Sequence, residues 1–390
     1  MESQTKKIRI INKKTLIVAV DIGKTVHYGY FRAPTGENVR PFRFYNFKKS
    51  FEQFWAKICW FQRQHNLEDI VIGFESTGPY AEPLFHFLRQ RPAKLRVIAD
   101  VISLGHALTL VVPEGPAAQL RRLTQARERA MKSRTAMVNQ LQHLVFVIFP
   151  EFFNIMKTLT KSAMHLIKNH TTPESIFAMG FKSLTGVLKK VSRGKLGQDR
   201  AKELFGAAQA SIGIHEGKES IILEIDHLIS KIENEDRFID NLEKQMADHL
   251  RQIPYSSSLL SIKGIGIITA AGLIGEVGDF RKFRTISEMM KLAGLDLYEV
   301  SSGQHTGQRH ISKRGRSLMR KLLFFAAINA VKSNGIMHEP YQQMLHRGMP
   351  KVKALIAISR KLLRIIFALA RDNVEYVKNY NQIHHYKLAA

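Results

Sequence analysis

Two acidic residues stand at the ends of short apolar runs, in positions suited to metal chemistry. Asp21 ends the run Thr15–Asp21, TLIVAVD, and Glu75 ends the run Asp69–Glu75, DIVIGFE. Such continuous apolar runs predict β-strands that are buried on both faces. If the two strands pair in parallel, both carboxylates reach the same sheet edge, where open α/β sheets usually bind ligands. Facing carboxylates repel unless a cation lies between them, and hard oxygen ligands favour Mg²⁺.

Each of these acids could instead have a local role. Asp21 could begin a turn with Gly23, and Glu75 could cap a helix together with Ser76. For one acid alone the local role is the more common one. The presence of both acids at matching positions favours a metal site.

A glycine-containing turn follows Pro254 and has features of a phosphate-binding site. The segment Ile262-Lys263-Gly264-Ile265-Gly266, followed by Thr269-Ala270, matches the turn of a helix-hairpin-helix. Its glycines would let backbone amides approach a phosphate at the amino end of a helix. The alternative is a helix–helix turn without a ligand, and the charge of Lys263 favours phosphate.

A serine–glycine loop provides a candidate nucleophile. Ser301 and Ser302 precede Gly303, and a cluster of basic residues follows them. A serine hydroxyl is a weak nucleophile unless a base or nearby cations lower its affinity for the proton. The side chains that could contribute here are His305, Arg309 and Lys313. From composition alone the alternative is an ordinary loop.

The overall charge indicates a polyanionic partner. Among 390 residues, 59 Lys and Arg stand against 33 Asp and Glu, which gives a net charge of +26. Nucleic acid is the first candidate for such a partner. Between Val300 and Arg371 the only acid is Glu339, so this part of the chain is the strongest candidate interface. The residues expected to bind nucleic acid are Lys263, Gly264, Gly266, Arg309, Lys313, Arg314 and Arg316.

Other classes of protein are disfavoured by composition. No apolar run is long enough to span a bilayer, and no amphipathic lipid anchor is evident, so we expect no membrane partner. The basic start MESQTKKIRIINKK lacks the apolar core of a secretory signal, which favours a cytoplasmic location. Cys59 is the only cysteine, and this excludes internal disulfides and cysteine zinc sites.

The elements around these residues suggest an α/β region followed by helices. Strand-like stretches at His27–Arg32 and Val39–Phe47 and a helical pattern at Ser50–Gln64 separate the two acids. From Gln119 a long helix is predicted to run until Pro150 stops it. The polar stretch Lys157–Gln209 gives only broken helical signals.

A heptad pattern follows this stretch. The first apolar position of the heptad is occupied by Ile225, Ile232, Ile239 and Met246, and the second by Leu228 and Leu242. Isoleucine and leucine at these two positions favour two-stranded pairing, so one interpretation is an element of assembly between copies of the chain. The other is an amphipathic helix that packs within its own domain.

The motifs taken together resemble one family over nearly the whole chain. These motifs are VDIGK, GFESTGPY, the helix ending in FPEF, KGIGIITA, AGLDLYEVSSG and HISKRG. In order and spacing they resemble the DEDD transposases of the IS110 and IS1111 insertion sequences, which are related to Piv-type DNA invertases. VDIGKT also resembles the first phosphate loop of actin-like ATPases, but we find neither of the other two loops that such folds need.

The resemblance implies an RNase H-like (RuvC-like) α/β domain at residues 14–118 and a helical, coiled-coil region at 119–250. A mainly α transposase domain with the helix-hairpin-helix and the serine loop would follow at 251–375. It implies a recombinase that cuts and rejoins donor and target DNA under the guidance of a bridge RNA, using Mg²⁺ and a serine nucleophile. A homo-oligomer, a dimer or tetramer, is implied as well.

The same resemblance assigns roles to individual residues. Asp21 resembles the first acid of the family and Glu75 the second. Ser302 resembles the nucleophile, with Ser301 as the alternative. In the family the acids and the serine of one working site can come from different protomers.

One departure from the family affects the acid site. The family has a Lys-Thr-Asp-x-x-Asp-Ala block that supplies the third and fourth acids, but here the segment Leu88–Leu95 leads directly to Arg96-Val97-Ile98-Ala99-Asp100. Asp100 is the only nearby acid and is a weak candidate metal ligand, because by alignment it belongs to the helix after the missing pair. Two alternatives follow: an active recombinase, or an impaired remnant that binds RNA and DNA without cutting.

Overall fold

The computed structural model describes residues 12–34, 40–74, 79–97, 108–109, 113–157, 160–298 and 309–377. The chain divides into two compact units, residues 1–112 and 113–390. The second unit includes the whole predicted helical region and the whole predicted transposase domain. The predicted boundary near residue 250 therefore lies inside one compact unit, and the three-domain division stays a prediction.

Within the described residues, the first unit contains a mixed sheet of six strands in the order β3-β2-β1-β4-β5-β6. Its strands are β1 (Thr15–Ile22), β2 (Val26–Arg32), β3 (Phe42–Tyr45), β4 (Asp69–Phe74), β5 (Lys94–Val97) and β6 (Leu108–Thr109). The first three strands are antiparallel, β4 and β5 run parallel to β1, and β6 is antiparallel to β5. The expected α/β character is confirmed, and the RNase H-like assignment stays a prediction.

Helices cover this sheet through apolar side chains at helical spacing. The helices are α1 (Lys48–Gln64) and α2 (Glu82–Arg89), with a short 3-10 turn at Pro79–Ala81. Helix α1 buries Phe51, Phe54, Ile58 and Phe61 against the sheet, at intervals of three and four residues. The sequence pattern at Ser50–Gln64 predicted this helix to within two residues.

The chain passes without interruption from α2 into β5. Four residues after the end of α2, the Ala93 amide donates to the Arg91 carbonyl, and β5 then pairs in parallel with β4. The connection from α2 to β5 is therefore short. The loss of the second acid pair stays a prediction from the sequence.

The second unit is helical in its described residues, apart from one short hairpin. Its helices are α3 (Gly115–Ile148), α4 (Phe152–Ile155), α5 (Lys161–Asn169), α6 (Pro173–Met179), α7 (Phe181–Val191), α8 (Gln198–Gln209), α9 (Lys218–Arg251), α10 (Ser256–Leu260), α11 (Ile267–Val277), α12 (Ile286–Ala293), α13 (Ser317–Ala330), α14 (His338–His346) and α15 (Lys351–Asp372). Strands β7 (Leu297–Tyr298) and β8 (His310–Ile311) form the hairpin, and a 3-10 turn lies at Phe280–Lys282. None of the described helices is long and apolar enough to cross a bilayer.

The two longest helices, α3 and α9, pack against each other in antiparallel orientation. Arg127 pairs with Glu243, and Arg134 forms two hydrogen bonds with Asp236. A higher residue number in α3 therefore faces a lower residue number in α9. The heptad residues Ile225, Leu228, Ile232, Ile239, Leu242 and Met246 are all buried within this unit. The structure therefore supports the interpretation of an amphipathic helix that packs within its own domain.

The polar stretch with broken helical signals forms four short helices, α5 to α8. They share a core with α3 and α9 that includes Leu166, Ile176, Leu184 and Leu204, all of them fully buried. Each helix contributes only a few apolar residues, because each runs for no more than 12 residues. The weak sequence signal thus reflects short elements with a common core.

Candidate active site and nucleic-acid interface

Asp21 lies near the carboxyl end of β1 and its side chain is exposed. β1 and β4 pair in parallel, with Val20 opposite Phe74, the last residue of β4. Glu75 follows Phe74 in the sequence and lies outside the described residues. The predicted parallel pairing of the two apolar runs is confirmed, and the approach of the two carboxylates stays a prediction.

Of the predicted Mg²⁺ ligands, the described residues include Asp21 alone. In the part of the chain that the structure describes, no group of three or more His, Cys, Asp or Glu side chains is placed to hold a metal ion. Asp100, like Glu75, lies outside that part. Mg²⁺ is usually held by one or two carboxylates together with waters and substrate phosphates. The exposed Asp21 carboxylate at a sheet edge fits one such position, and the Mg²⁺ site stays a prediction.

A buried histidine lies on the strand next to Asp21 and was not selected from the sequence. His27 pairs with Ile22 across β1 and β2 and is fully buried, with its ring 5.1 Å from that of Phe44. Neither ring nitrogen has a hydrogen-bond partner of normal geometry. Burial lowers the pKa of His27, and the nearby Asn46 and Asp21 side chains act in the opposite direction. The imidazole is therefore held in its neutral form beside the predicted acid site.

The glycine-containing turn of the second unit connects α10 to α11. Ile262 and Ile265 are buried and anchor the turn, whereas Lys263 between them is exposed. Gly264 has a φ of +106°, a conformation that side-chain-bearing residues rarely adopt. Gly266 is exposed at the amino end of α11 and makes no side-chain cap, which leaves the first amides of that helix open to an anion. The phosphate contact and the helix-hairpin-helix assignment stay predictions.

The serine loop is connected to the rest of the unit by the β7–β8 hairpin. Leu297 pairs with Ile311 and Tyr298 pairs with His310. Ser301, Ser302 and His305 lie in residues 299–308, outside the described part of the chain. The structure thus describes the base of the predicted nucleophile loop, and the role of Ser302 stays a prediction.

A network of hydrogen bonds fixes the base of this hairpin. The Ser312 hydroxyl donates to Asp296 Oδ1 at 2.5 Å, and the Ser312 amide donates to the Asp296 carbonyl at 2.9 Å. The Lys313 amide donates to the Gly294 carbonyl at 3.0 Å. At Gly315 a Cβ would lie 2.5 Å from the Leu292 carbonyl oxygen, so only glycine allows this approach. The HISKRG and AGLD motifs are therefore packed backbone to backbone.

The predicted basic residues on either side of β8 differ in exposure. Arg309, Lys313 and Arg314 are exposed, and Lys313 has a φ of +54°. Arg316 is largely buried, with 18% of its side chain exposed, and it donates to the Glu276 carbonyl and lies 3.9 Å from the Glu276 carboxylate. Burial, followed by repulsion from Arg121, lowers the pKa of Arg316 to about 10. This position suits a structural role better than a phosphate contact, and the predicted contact is untested.

The structure does not bring the glycine turn and the basic loop together. Gly264 approaches Asn329 and Ala330 at the carboxyl end of α13, whereas Arg316 caps its amino end. A helix of 14 residues is about 21 Å long. The two predicted contact regions are therefore separated by the length of α13.

Sequence analysis missed Asp296, Arg360 and Arg364. Asp296 carries the hydrogen bond to Ser312, and Arg360 interacts electrostatically with both Arg364 and Asp296. The signal for Asp296 was available, because Asp296 and Glu299 are the last two acids before a segment that is almost free of acids. The arginines lie on α15, far along the chain from the loop motifs, so their proximity to Asp296 required the fold.

Comparison with known proteins identifies relatives over nearly the whole length. Residues 256–342 match the sequence pattern of the transposase IS116/IS110/IS902 family, and this range spans the glycine turn, the hairpin and the basic loop. The insertion element IS110 uncharacterized 43.6 kDa protein of Streptomyces coelicolor is 21% identical over 93% of this chain and 95% of its own length. The insertion element IS116 uncharacterized 44.8 kDa protein of Streptomyces clavuligerus is 23% identical over 71% of this chain and 70% of its own.

A DNA-inverting relative matches a shorter part of the chain. The pilin gene-inverting protein of Moraxella lacunata is 29% identical over 37% of this chain and 46% of its own length. This similarity fits the predicted relation to Piv-type invertases. Residues 256–342 match the IS116/IS110/IS902 family of transposases, and most of the chain is similar to proteins of the insertion elements IS110 and IS116.

Proposed function

We propose that the protein is an insertion-sequence recombinase that cuts and rejoins DNA with Mg²⁺ and a serine nucleophile under the guidance of a bridge RNA. Asp21 and Glu75 would hold the metal ion, and Ser302 would attack the DNA, with Ser301 as the alternative nucleophile. The observation that carries the proposal is the parallel register of β1 and β4. It sets the exposed Asp21 one residue beyond Val20, just as Glu75 is one residue beyond Phe74, the residue paired with Val20.

The proposed chemistry is a transesterification at phosphorus. The Ser302 oxygen forms a bond to phosphorus as the bond from phosphorus to one deoxyribose oxygen breaks, and the departing oxygen takes up a proton. The serine proton passes to a neighbouring base or to water. A deoxyribose hydroxyl of the second DNA then attacks the phosphoserine, which restores the serine and joins the strands. Bound Mg²⁺ would supply positive charge that stabilises the extra charge on the phosphate oxygens.

A nucleic-acid partner is supported by charge, and DNA is supported by the relatives as well. The net charge of +26 fits a polyanion, and the almost acid-free segment from Val300 to Arg371 coincides with α13 and α15 and the loops around them. The Moraxella relative inverts a gene, which is an operation on DNA. Guidance by RNA rests on the resemblance alone. Nuclease treatment of the purified protein, followed by sequencing of any protected RNA, tests this part separately.

Strand exchange between donor and target DNA tests the enzymatic proposal. We expect exchange with Mg²⁺ and the guide RNA, and its loss in Asp21→Ala and in Ser302→Ala. Mixing these two inactive variants should restore part of the activity if one working site combines residues from two protomers. Exchange that persists in both single variants would overturn the proposal.

A second function, binding without cutting, is favoured by the sequence after α2, where Leu88–Leu95 leads directly to Arg96. Because the Asp-x-x-Asp block is missing there, two carboxylates would have to hold Mg²⁺ with substrate oxygens alone. A binding remnant predicts strongly salt-dependent affinity for nucleic acid and no covalent protein–DNA product. Metal-dependent strand exchange by the wild-type protein would exclude it.

A further inference from the structure

A cavity of about 300 Å³ lies in the second unit, at the foot of the β7–β8 hairpin. Leu295 and Ile311 line it from the hairpin side, Arg320 and Phe324 from α13, and Ile356 and Ser359 from α15. Its size is at the lower end of ligand pockets, which range from about 300 to 1,000 Å³. It can therefore hold one small planar group.

The walls of the cavity are suited to a flat apolar ligand. Leu295, Ile311 and Ile356 contribute aliphatic surface, and the half-buried Phe324 contributes an aromatic ring. Nucleic-acid bases stack on such rings without regard to their identity. Ser359 does not compete for a ligand, because its hydroxyl already donates to the Leu355 carbonyl within α15. A single unpaired base matches this combination of size and chemistry.

Positive charge lies next to the cavity and is incompletely balanced. Arg360 follows Ser359 on α15, and its Nε is buried without a hydrogen-bond partner. Arg364 is one turn further along the helix and repels Arg360. The acid that opposes this repulsion is Asp296, whose carboxylate already accepts a hydrogen bond from Ser312. Two neighbouring guanidinium groups, of which Arg360 faces a carboxylate that is already engaged, favour a bound phosphate.

We propose that this cavity receives one unpaired base of the DNA, and that Arg360 and Arg364 bind the adjoining phosphate. The proposal rests on the proposed function, because it takes DNA as the substrate. The cavity is flanked by both strands of the hairpin that carries residues 299–308. A base bound in the cavity is separated from its stacked neighbours. Its binding fixes which nucleotide of the strand lies at this point of the protein.

Fluorescence of 2-aminopurine in a single-stranded DNA oligonucleotide tests this subsite with the full chain. On binding to the wild-type protein, emission should rise as the base leaves its stack. Phe324→Ala should weaken binding by about fivefold or more, the range expected for loss of one stacking contact. Ile356→Phe, which fills the cavity, should suppress the rise in emission. Phe325→Ala, at an adjacent exposed ring outside the cavity lining, is the matched control and should behave as wild type.

The charge is tested by salt dependence. Arg360→Gln and Arg364→Gln should each reduce the slope of log affinity against log salt by about 1, the amount expected for one phosphate contact. Lys182→Gln, an exposed charge on α7, is the control and should leave the slope unchanged. Circular dichroism of each variant verifies that the helices are intact.

The outcomes separate the subsite from the function on which it rests. Normal DNA binding by Ile356→Phe and Arg360→Gln, with the full rise in emission, would overturn the subsite and leave the proposed function standing. A wild-type protein that binds no DNA at all would overturn both. The assignment to DNA would be overturned if binding of an RNA oligonucleotide of the same sequence depended on Phe324 and Ile356 while binding of the DNA did not.

Discussion

The hydroxyl of Ser312 donates a hydrogen bond to the carboxylate of Asp296 across a distance of 2.5 Å. This contact joins the segment after β8 to the segment before β7, so it closes the base of the hairpin that leads to residues 299–308. A hydrogen bond to a charged acceptor contributes about 1.5–3 kcal/mol. We therefore expect this pair, which lies outside the predicted nucleophile loop, to fix the base from which the loop extends.

Ser312→Ala and Asp296→Asn should slow strand exchange by about ten- to a hundredfold, the kinetic equivalent of one such hydrogen bond. DNA affinity should change far less, because neither side chain is among the predicted phosphate contacts. Rates and affinities measured on the same preparations test this separation. Ser333→Ala, an exposed serine beyond α13, is the control. Equal losses in affinity and rate would show that the pair acts on binding instead.

Lys263→Gln should weaken DNA binding equally for all sequences and reduce the salt slope by about 1. The physical reason is that Lys263 is exposed on the turn that presents the open amides of α11. Fluorescence anisotropy at several salt concentrations measures the slope. A salt slope equal to that of the Lys182→Gln control would show that this turn does not contact DNA.

Glu276→Gln should lower the unfolding midpoint of the second unit. Glu276 is 5% exposed and its carboxylate faces the largely buried Arg316, so its neutralisation removes a buried negative charge that stabilises this guanidinium. Loss of one member of a buried ion pair costs about 3–5 kcal/mol.

Thermal unfolding followed by circular dichroism measures this effect. Glu203→Gln breaks an exposed pair with Arg200 and should cost about 1 kcal/mol or less. Combining Glu276→Gln with Arg316→Met should recover part of the loss, because both buried charges are then removed. Equal midpoints for the two Gln variants would contradict the structural role given to Arg316.

Acidification should destabilise the first unit through His27. Burial lowers its pKa in the folded state below the value of 6.5 in the unfolded state. Below about pH 6.5 the unfolded state therefore binds more protons than the folded state. The contribution of neutral His27 to stability is complete above this pH. It is lost as the pH falls through the pKa of the folded state.

Tryptophan fluorescence reports on this unit alone, because Trp55 and Trp60 are the only tryptophans of the chain and both lie in α1. The unfolding midpoint followed at these residues should fall between pH 7.5 and 5.5 in the wild type. It should fall less in His27→Phe, which keeps a ring against Phe44. His86→Gln changes an exposed histidine of α2 and should keep the wild-type dependence. Identical pH dependence in all three proteins would contradict the prediction.

Sequence alone predicted the elements whose signal is contained in one segment. The parallel strands β1 and β4 followed from two continuous apolar runs, and α1 and α3 followed from helical patterns at Ser50–Gln64 and from Gln119 to Pro150. The heptad pattern predicted α9 and its buried face, but it could not identify α3 as the partner, because a periodic face specifies burial without specifying what covers it. The helices α5 to α8 escaped detection since each is short and depends on a core formed by distant segments.

The candidate site was predictable to a similar extent. Motif order selected Asp21, Lys263 and the basic loop as candidates, because each of them lies close in the chain to the glycines of its own motif. The burial of Arg316 against Glu276 and the link between Ser312 and Asp296 depend on contacts across 40 and 16 positions of the chain. Such contacts carry no local sequence pattern.

Formation of a covalent protein–DNA product tests the central claim most directly. Labelled DNA is incubated with the full chain, Mg²⁺ and the guide RNA, and the denatured protein is then examined for attached label. The account predicts a covalent product for the wild type and for Ser301→Ala, and none for Ser302→Ala or Asp21→Ala. A product that forms equally well with Ser302→Ala, or no product from the wild-type protein under conditions in which it binds DNA, would contradict it.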